Sequence, residues 1–271
     1  MTKAIITDLD GTILPKGGSI SLENLAAFQQ AGEQGVVRII ATGRSLYAAR
    51  KVLPADFPID YLVFSSGAGV VRWSDQQILF ARHLDPQTTQ DIAEYLWNYN
   101  INFTIQKEIP DNHYFYYTDI YPLHPDYKHR LETYSSFGTA IHSPMEIHGK
   151  STQLIMILDG SQLRLLEQVR CDLKQYSVVR STSPVDNQAI WLEIFPFGIN
   201  KGTTCRSLLE QLGISCEQIA GLGNDYNDVD FLDICPQAYL VANAPHRLLP
   251  HYKSVASDRN NGFTEFISKV M

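Results

Sequence analysis

The sequence lacks the cysteine and histidine patterns of disulfide frameworks and zinc sites. Its four cysteines, among 271 residues, form no C-x-x-C pair, and the five histidines between residues 113 and 148 show no metal-like spacing. Reduced thiols are therefore expected, and a zinc site is not.

Long apolar runs are also missing. No stretch approaches the roughly 20 apolar residues that a membrane helix needs, and the chain enters an apolar strand without a charged-then-apolar leader. The composition, 44% apolar and 19% charged, is that of an ordinary globular protein, with length enough for one domain or two. A net charge of −7 argues against a general nucleic-acid surface. We expect a cytoplasmic protein that binds neither membranes nor nucleic acid; its oligomeric state is unknown at this stage.

The most informative stretch is an apolar run at the amino end that stops at two carboxylates. Residues 3–12 read KAIITDLDGT, which indicates a short buried strand followed by Asp8 and Asp10. Such carboxylates raise each other's pKa unless a cation is close, which favours a metal site; solvated turn residues are the alternative. An EF-hand calcium loop is excluded because Ile13 occupies the position that needs glycine.

A second strand also ends in polar residues. Residues 36–41 are apolar apart from one arginine and lead into Thr42, Gly43, Arg44 and Ser45 before a predicted helix. A hydroxyl and backbone N–H groups in this position can bind an anion, although Thr42 or Ser45 could simply cap the helix. Arg44 is open to two readings, a substrate or cap contact and a surface ion pair.

Lys201 opens a predicted helix that runs to Leu212. A cation at a helix amino terminus opposes the helix dipole and is disfavoured unless an anion is near. The acidic pair at residues 8 and 10 would supply that anion.

The last predicted strand that leads into polar residues is followed by the segment 223–228, GNDYND. It follows a short predicted strand and precedes a helix. Its amide and carboxylate side chains offer the oxygen ligands that Mg²⁺ prefers.

The domain organisation follows from a change in sequence character near residue 82. Residues 1–81 and 187–271 contain strands that end in polar motifs, whereas residues 82–186 mix helices and short strands without that pattern. We therefore predict an α/β fold, a Rossmann-like doubly wound parallel sheet, with an inserted α+β cap domain at 82–186.

Aromatic residues are concentrated in the predicted insertion. Twelve of the 29 aromatics lie between Tyr95 and Phe137. They suit stacking on a sugar or a flat heterocycle, but the insertion's own core is the favoured use.

Together these four segments resemble the motifs of the haloacid dehalogenase superfamily, specifically its Cof-type members with a C2-type cap. The segments are DLDGT at 8–12, ATGR at 41–44, EIFPFGINKG at 193–202 and GNDYND at 223–228. One departure is clear: the usual fourth motif is G-D-x-x-N-D, so Asn224 stands where an aspartate is expected.

The resemblance implies roles for the predicted site residues. Asp8 would attack phosphorus and form an aspartyl-phosphate, Asp10 would act as general acid and base, and Lys201 would hold the nucleophile and phosphoryl oxygens. Thr42, Gly43 and Arg44 would bind the phosphoryl group or substrate. The ligands expected for Mg²⁺ are Asp8, Asp10, Asn224 and Asp228, with Asp225 and Asn227 as further candidates.

The implied function is a Mg²⁺-dependent phosphatase of small phosphorylated metabolites. Two alternatives stay open: a phosphosugar mutase, and a metabolite-binding protein with reduced turnover because Asn224 removes one negative charge from the metal site.

Overall fold

The computed structural model describes residues 1–120, 122–183 and 189–271. The chain divides into two compact units, the first formed by Met1–Phe80 and Asn200–Met271 and the second by Ala81–Ile199. The second unit is thus an insertion in the chain of the first.

The first segment begins by alternating strands and helices, because short apolar runs are separated by amphipathic stretches, and ends in three successive strands. Its elements are β1 (Ala4–Thr7), α1 (Leu22–Glu33), β2 (Val37–Ala41), α2 (Leu46–Arg50), β3 (Tyr61–Phe64), β4 (Gly69–Arg72) and β5 (Gln77–Ala81). Helix α1 begins after Ser21, whose Oγ accepts a hydrogen bond from the backbone N–H of Asn24, as expected for a helix cap.

The inserted segment combines three helices with strands that range from three to eight residues. Its elements are α3 (Pro86–Asn98), β6 (Phe103–Lys107), β7 (Phe115–Tyr117), α4 (Pro125–Thr133), β8 (Gly138–Ala140), β9 (Ser151–Leu158), α5 (Leu163–Asp172), β10 (Ser177–Thr182) and β11 (Ile190–Phe195).

The closing segment returns to the pattern of the first. Its elements are α6 (Lys201–Gln211), β12 (Ile219–Gly223), α7 (Val229–Leu232), β13 (Gln237–Val241), β14 (Lys253–Val255) and α8 (Gly262–Val270).

The first unit is built on an eight-stranded sheet in the order β14-β13-β12-β1-β2-β3-β4-β5. The pairs from β14 to β3 are parallel, and β4 joins β3 antiparallel. Helices α6 and α7 pack on one face through Leu208, Leu209 and Phe231. Helices α1 and α8 meet on the other side, where the rings of Phe28 and Phe263 stack with centroids 4.1 Å apart. The predicted α/β fold with a Rossmann-like parallel sheet is confirmed.

The second unit is an α+β structure with its own core. Its six-stranded sheet has the order β10-β11-β9-β6-β7-β8 and is antiparallel except for the pair β7 and β8. Helices α3 and α5 cover one face of the sheet through Ile92, Leu96 and Val169. Part of the other face packs against Tyr127 of α4.

The predicted boundary after the insertion needs correction. The point between residues 186 and 187 lies outside the described residues, but residues 189–199, which we assigned to the parallel-sheet core, belong to the second unit. Strand β11 pairs antiparallel with β9 and β10. The error arose because a short apolar run has the same appearance in either kind of sheet, and only its hydrogen-bonded neighbours distinguish the two.

Within the described part of the chain, no helix is both long and apolar enough to span a bilayer. The four cysteines are free, with Cys205 and Cys235 buried.

Candidate active site

Three neighbouring strands of the first unit end at one edge of its sheet. Strand β1 pairs in parallel with β2 on one side and with β12 on the other. Since β2 follows β1 in the chain and β12 comes from the closing segment, the strand order reverses at β1, which is where open α/β sheets bind their ligands. Asp8, Thr42 and Asn224 are the first residues beyond these three strands.

Asp8 is buried and firmly held. Its side chain is 6% exposed. Its Oδ1 accepts a hydrogen bond from Lys201 Nζ at 2.7 Å, and its Oδ2 accepts one from Thr12 Oγ1 at 3.1 Å. Two donors on different oxygens fix the plane of the carboxylate.

Lys201 lies between two acidic side chains. Its Nζ is also 2.7 Å from Asp228 Oδ1, and its side chain is 1% exposed. The residue begins α6, where Asn200 caps the helix by accepting from Thr203 N at 2.7 Å. The anions that a lysine at this helix position requires are therefore Asp8 and Asp228, and the sequence had indicated only the first of them.

Asp228 also organises the fourth motif. Its Oδ2 accepts hydrogen bonds from the backbone N–H groups of Asn224 at 2.8 Å and Asp225 at 3.0 Å. Gly223 is required beside it because a Cβ at that position would lie 2.7 Å from Asp228 Cβ. This carboxylate thus holds a loop and a lysine at once, a double role that the sequence did not reveal.

The electrostatics of this buried group are coupled. Burial, the negative charge of Asp228 and, more weakly, Asp10 raise the pKa of Asp8 to about 7, against the lowering effect of Lys201. Burial disfavours the charged form of Lys201, but Asp228 and Asp8 outweigh it and raise the pKa of the lysine above its ordinary value. The lysine is therefore a permanent cation in this site.

Asp10 is more exposed than Asp8 and is paired with Arg44. The guanidinium donates from Nε to Asp10 Oδ2 at 2.8 Å and from Nη2 to Oδ1 at 2.6 Å. This is the two-point geometry in which arginine binds carboxylates best. Of the open readings of Arg44, an ion pair is observed, and its partner is the second acid of the first motif.

The hydroxyls after β2 have different partners. Ser45 Oγ caps α2 by accepting from Ala48 N at 3.3 Å, whereas the buried Thr42 Oγ1 accepts from Arg44 N at 3.1 Å. Gly43 is partly buried between them. Ser45 therefore has the capping role, and Thr42 lies at the strand end near the first motif.

Asn224 and Asn243 lie against the first-motif loop. A Cβ at Gly11 would come within 2.5 Å of Asn224 Nδ2. Asn243 follows β13, the next strand of the sheet, and its Nδ2 donates to Gly11 O at 2.8 Å while its Oδ1 accepts from Asp258 N at 2.9 Å. In the sequence, the position of Asn243 just after the apolar run of β13 indicated that it would lie at this edge of the sheet.

The side chains of the site suit the expected Mg²⁺ in charge and in ligand type. Over the described ranges, no three His, Cys, Asp or Glu side chains are grouped as a ready metal cluster. By formal charge, Asp8, Asp10 and Asp228 nevertheless outnumber Lys201 and Arg44 by three to two, and all candidate ligands are oxygen donors. Excess negative charge and oxygen ligands fit a hard divalent cation.

The chain is similar to known proteins along almost its whole length. A family model described as haloacid dehalogenase-like hydrolase matches residues 5–267. A 5-amino-6-(5-phospho-D-ribitylamino)uracil phosphatase of Bacillus subtilis (strain 168) is 24% identical over 297 aligned positions, which cover 99% of this chain and 98% of the relative. An HMP-PP phosphatase of Citrobacter koseri is 25% identical and covers 99% of this chain and 95% of its own.

A solved structure supports the same fold. A phosphatase of the haloalkanoate superfamily from Bacteroides thetaiotaomicron superposes with a TM-score of 0.82 at 17% identity, covering 100% of this chain and 95% of that one. The match of the family model to almost the whole sequence confirms the resemblance seen in the motifs. This chain therefore belongs to the haloacid dehalogenase-like hydrolase family.

Proposed function

We propose that this protein is a Mg²⁺-dependent phosphatase that hydrolyses small phosphorylated metabolites through an aspartyl-phosphate on Asp8. The observation that carries the proposal is the buried Lys201, with its Nζ 2.7 Å from both Asp8 and Asp228. A fixed cation beside a buried carboxylate positions the nucleophile and offsets the charge of an approaching phosphoryl group. The relatives named as phosphatases support the same reaction class.

The chain's own residues account for both half-reactions. In the first, an oxygen of Asp8 forms a bond to phosphorus while the bond from phosphorus to the leaving oxygen breaks, and Asp10 donates a proton to that oxygen. In the second, Asp10 accepts a proton from water, whose oxygen attacks phosphorus and releases Asp8. Arg44 holds the carboxylate of Asp10 in place through two hydrogen bonds. Thr42 and Gly43 would bind the phosphoryl oxygens through a hydroxyl and a backbone N–H.

The residues that would hold Mg²⁺ are Asp8, Asp10 and Asn224. We assign Asp228, whose oxygens already accept three hydrogen bonds, to an indirect contact through water, and leave Asp225 and Asn227 as supporting oxygen donors. When bound, the ion would neutralise charge on the transferring phosphoryl group.

The substrate is proposed only at the level of a class. The two relatives are named for different phosphorylated metabolites, and neither is similar enough to transfer its substrate to this chain. We propose that the inserted second unit, as the cap, decides which metabolite is accepted.

The direct test is phosphate release from a panel of phosphorylated metabolites and phenyl phosphate across a magnesium series. We expect release that rises with Mg²⁺ and stops when the metal is chelated with EDTA. Conversion of a sugar phosphate into its isomer without free phosphate would establish the mutase instead. Ligand binding without release at any magnesium concentration would establish a binding protein.

Replacing Asn224 with aspartate should tighten Mg²⁺ binding. The change adds a negative charge at the metal site, so we expect the magnesium concentration for half-maximal rate to fall several-fold. The matched comparison is Asn227→Asp, which adds the same charge three residues along the loop. If only Asn227→Asp lowered the magnesium requirement, our alignment of the fourth motif would be wrong.

A further inference from the structure

The turn that carries Asp10 is closed by hydrogen bonds of its own backbone. Gly11 N donates to Leu14 O at 2.8 Å, and Leu14 N donates to Leu9 O at 2.9 Å. Gly11 has a φ of 72°, a conformation that glycine adopts without steric strain. In so tight a turn, a contact that fixes Gly11 also limits the orientation of its neighbour Asp10.

Asn243, which follows β13, holds the Gly11 carbonyl from outside the turn. Its Nδ2 donates to Gly11 O at 2.8 Å, and its Oδ1 accepts from Asp258 N at 2.9 Å. The orientation of the amide is determined, because only its NH₂ group can donate to a carbonyl and only its oxygen can accept from an N–H. Although Asn243 is exposed, both ends of its side chain are therefore held by the backbone.

The segment that anchors Asn243 makes two further contacts with the chain between β1 and α1. Arg259 Nη2 donates to Lys16 O at 2.9 Å, and Ser21 Oγ donates to Asn261 Oδ1 at 2.7 Å. We call Asn243, Asp258, Arg259 and Asn261 the carboxy-terminal clamp. Through these residues, the end of the chain holds the segment that follows the first motif.

The clamp is itself attached to the packed helices of the first unit. Ala256 N donates to Glu265 Oε2 of α8 at 2.7 Å, and Thr264 Oγ1 of the same helix donates to Asn24 Oδ1 of α1 at 3.0 Å. The residues on either side of the clamp are therefore joined to both helices. A displacement of the clamp would have to break these contacts as well.

Asp10 is thus held in two ways, by Arg44 at its carboxylate and by the clamp at the next residue. We propose that Asn243 is a positioning residue that orients Asp10 for giving its proton to the leaving oxygen. The inference rests on the proposed function, because it concerns the step in which the bond from phosphorus to that oxygen breaks. Asn243 acts through Gly11 and exchanges no proton itself.

Phenyl phosphate and 4-nitrophenyl phosphate are the probes, because they differ in how much the leaving oxygen needs a proton. Since 4-nitrophenol is a stronger acid than phenol, its oxygen leaves with little help from a general acid. Both esters are assayed at saturating Mg²⁺. We compare kcat/KM, which reports the steps up to departure of the leaving group and is unaffected by the later attack of water.

Asn243→Ala should lower kcat/KM for phenyl phosphate by a factor of about 10 or more, and that for 4-nitrophenyl phosphate by less than about 3. The reason is that a misplaced Asp10 affects most the ester that depends on its proton. The matched control is Asn260→Ala, which changes an exposed asparagine between Arg259 and Asn261 and should leave both values unchanged.

Asp258→Pro tests the anchor of Asn243 without changing Asn243. It removes the N–H that donates to Oδ1, at the first residue of a short 3₁₀ helix (Asp258–Asn260), where proline is tolerated. The preceding Ser257 has φ −67° and ψ 166°, which suit a residue before proline. We expect the loss to be larger for phenyl phosphate again. Asp258→Ala keeps the N–H and should preserve the ratio of the two kcat/KM values.

A purely structural role of Asn243 predicts a different result, because a smaller amount of active protein lowers the rates for both esters by the same factor. Equal losses in Asn243→Ala, or no loss for either ester, would overturn the proposal. Thermal melting identifies a variant that does not fold, and if Asn243→Ala is one, Asp258→Pro decides. If the unchanged protein releases no phosphate from either ester, the proposed phosphatase function fails and this inference with it, whereas release with equal losses rejects the inference alone.

Discussion

Asp8→Asn is expected to lower kcat for phenyl phosphate by a factor of about 10³ or more, because an amide is a far poorer nucleophile toward phosphorus than a carboxylate. The fold should persist, because Lys201 keeps its 2.7 Å contact with Asp228 and the asparagine oxygen can still accept a hydrogen bond. Steady-state assays and far-ultraviolet circular dichroism measure the two expectations.

The covalent intermediate gives a second readout for Asp8. After acid quenching of a reacting sample, we expect mass spectrometry to find phosphate on the peptide that contains Asp8, and none in the Asp8→Asn protein. The matched control is Asp75→Asn, which changes an exposed aspartate paired with Arg72 and should behave as the unchanged protein does. Full activity of Asp8→Asn would remove this residue from the nucleophile role.

Lys201→Met should cost both stability and activity. It leaves the buried carboxylates of Asp8 and Asp228 without their shared cation, and breaking a buried ion pair from one side typically costs about 3–5 kcal/mol in the free energy of unfolding. Activity should fall by a factor of about 10³ because the nucleophile loses a donor that positions it. Chemical denaturation and phosphate release measure the two losses.

A double variant separates the stability loss from the activity loss. Adding Asp228→Asn to Lys201→Met removes one of the two uncompensated charges while leaving an oxygen for the N–H groups of Asn224 and Asp225. Part of the stability should return, and the activity should not. Lys269→Met, at an exposed lysine paired with Glu265, is the control for loss of a lysine. If Lys201→Met were as stable as this control, the buried contacts of Lys201 with Asp8 and Asp228 would not stabilise the fold.

Much of the site could be predicted from the sequence, because its residues directly follow short apolar runs that form parallel strands. The apolar runs before Asp8, Thr42 and Asn224 each indicated a buried strand, and parallel pairing brings the ends of such strands to one edge of the sheet. Lys201 was identified because its helix position is unfavourable without an anion. Each of these signals involves only neighbouring residues in the chain, so a single sequence is enough to recognise it.

Contacts between distant segments were not predictable in the same way. The pairing of Arg44 with Asp10 and the three hydrogen bonds accepted by Asp228 depend on loop geometry that residue types do not encode. The segment 189–195 shows the same limit for the fold: its apolar pattern predicted a strand, and β11 is one, but its antiparallel neighbours place it in the second unit.

By itself, the sequence determined the fold class, the strand ends that carry polar motifs and the family, because each depends on the periodicity and order of residues along the chain. Tertiary structure alone decided which sheet receives β11, which acids share Lys201, and that Arg44 pairs with Asp10. The physical reason is that hydrogen-bond satisfaction and charge pairing are properties of neighbours in space, and these neighbours lie tens to hundreds of residues apart in the chain.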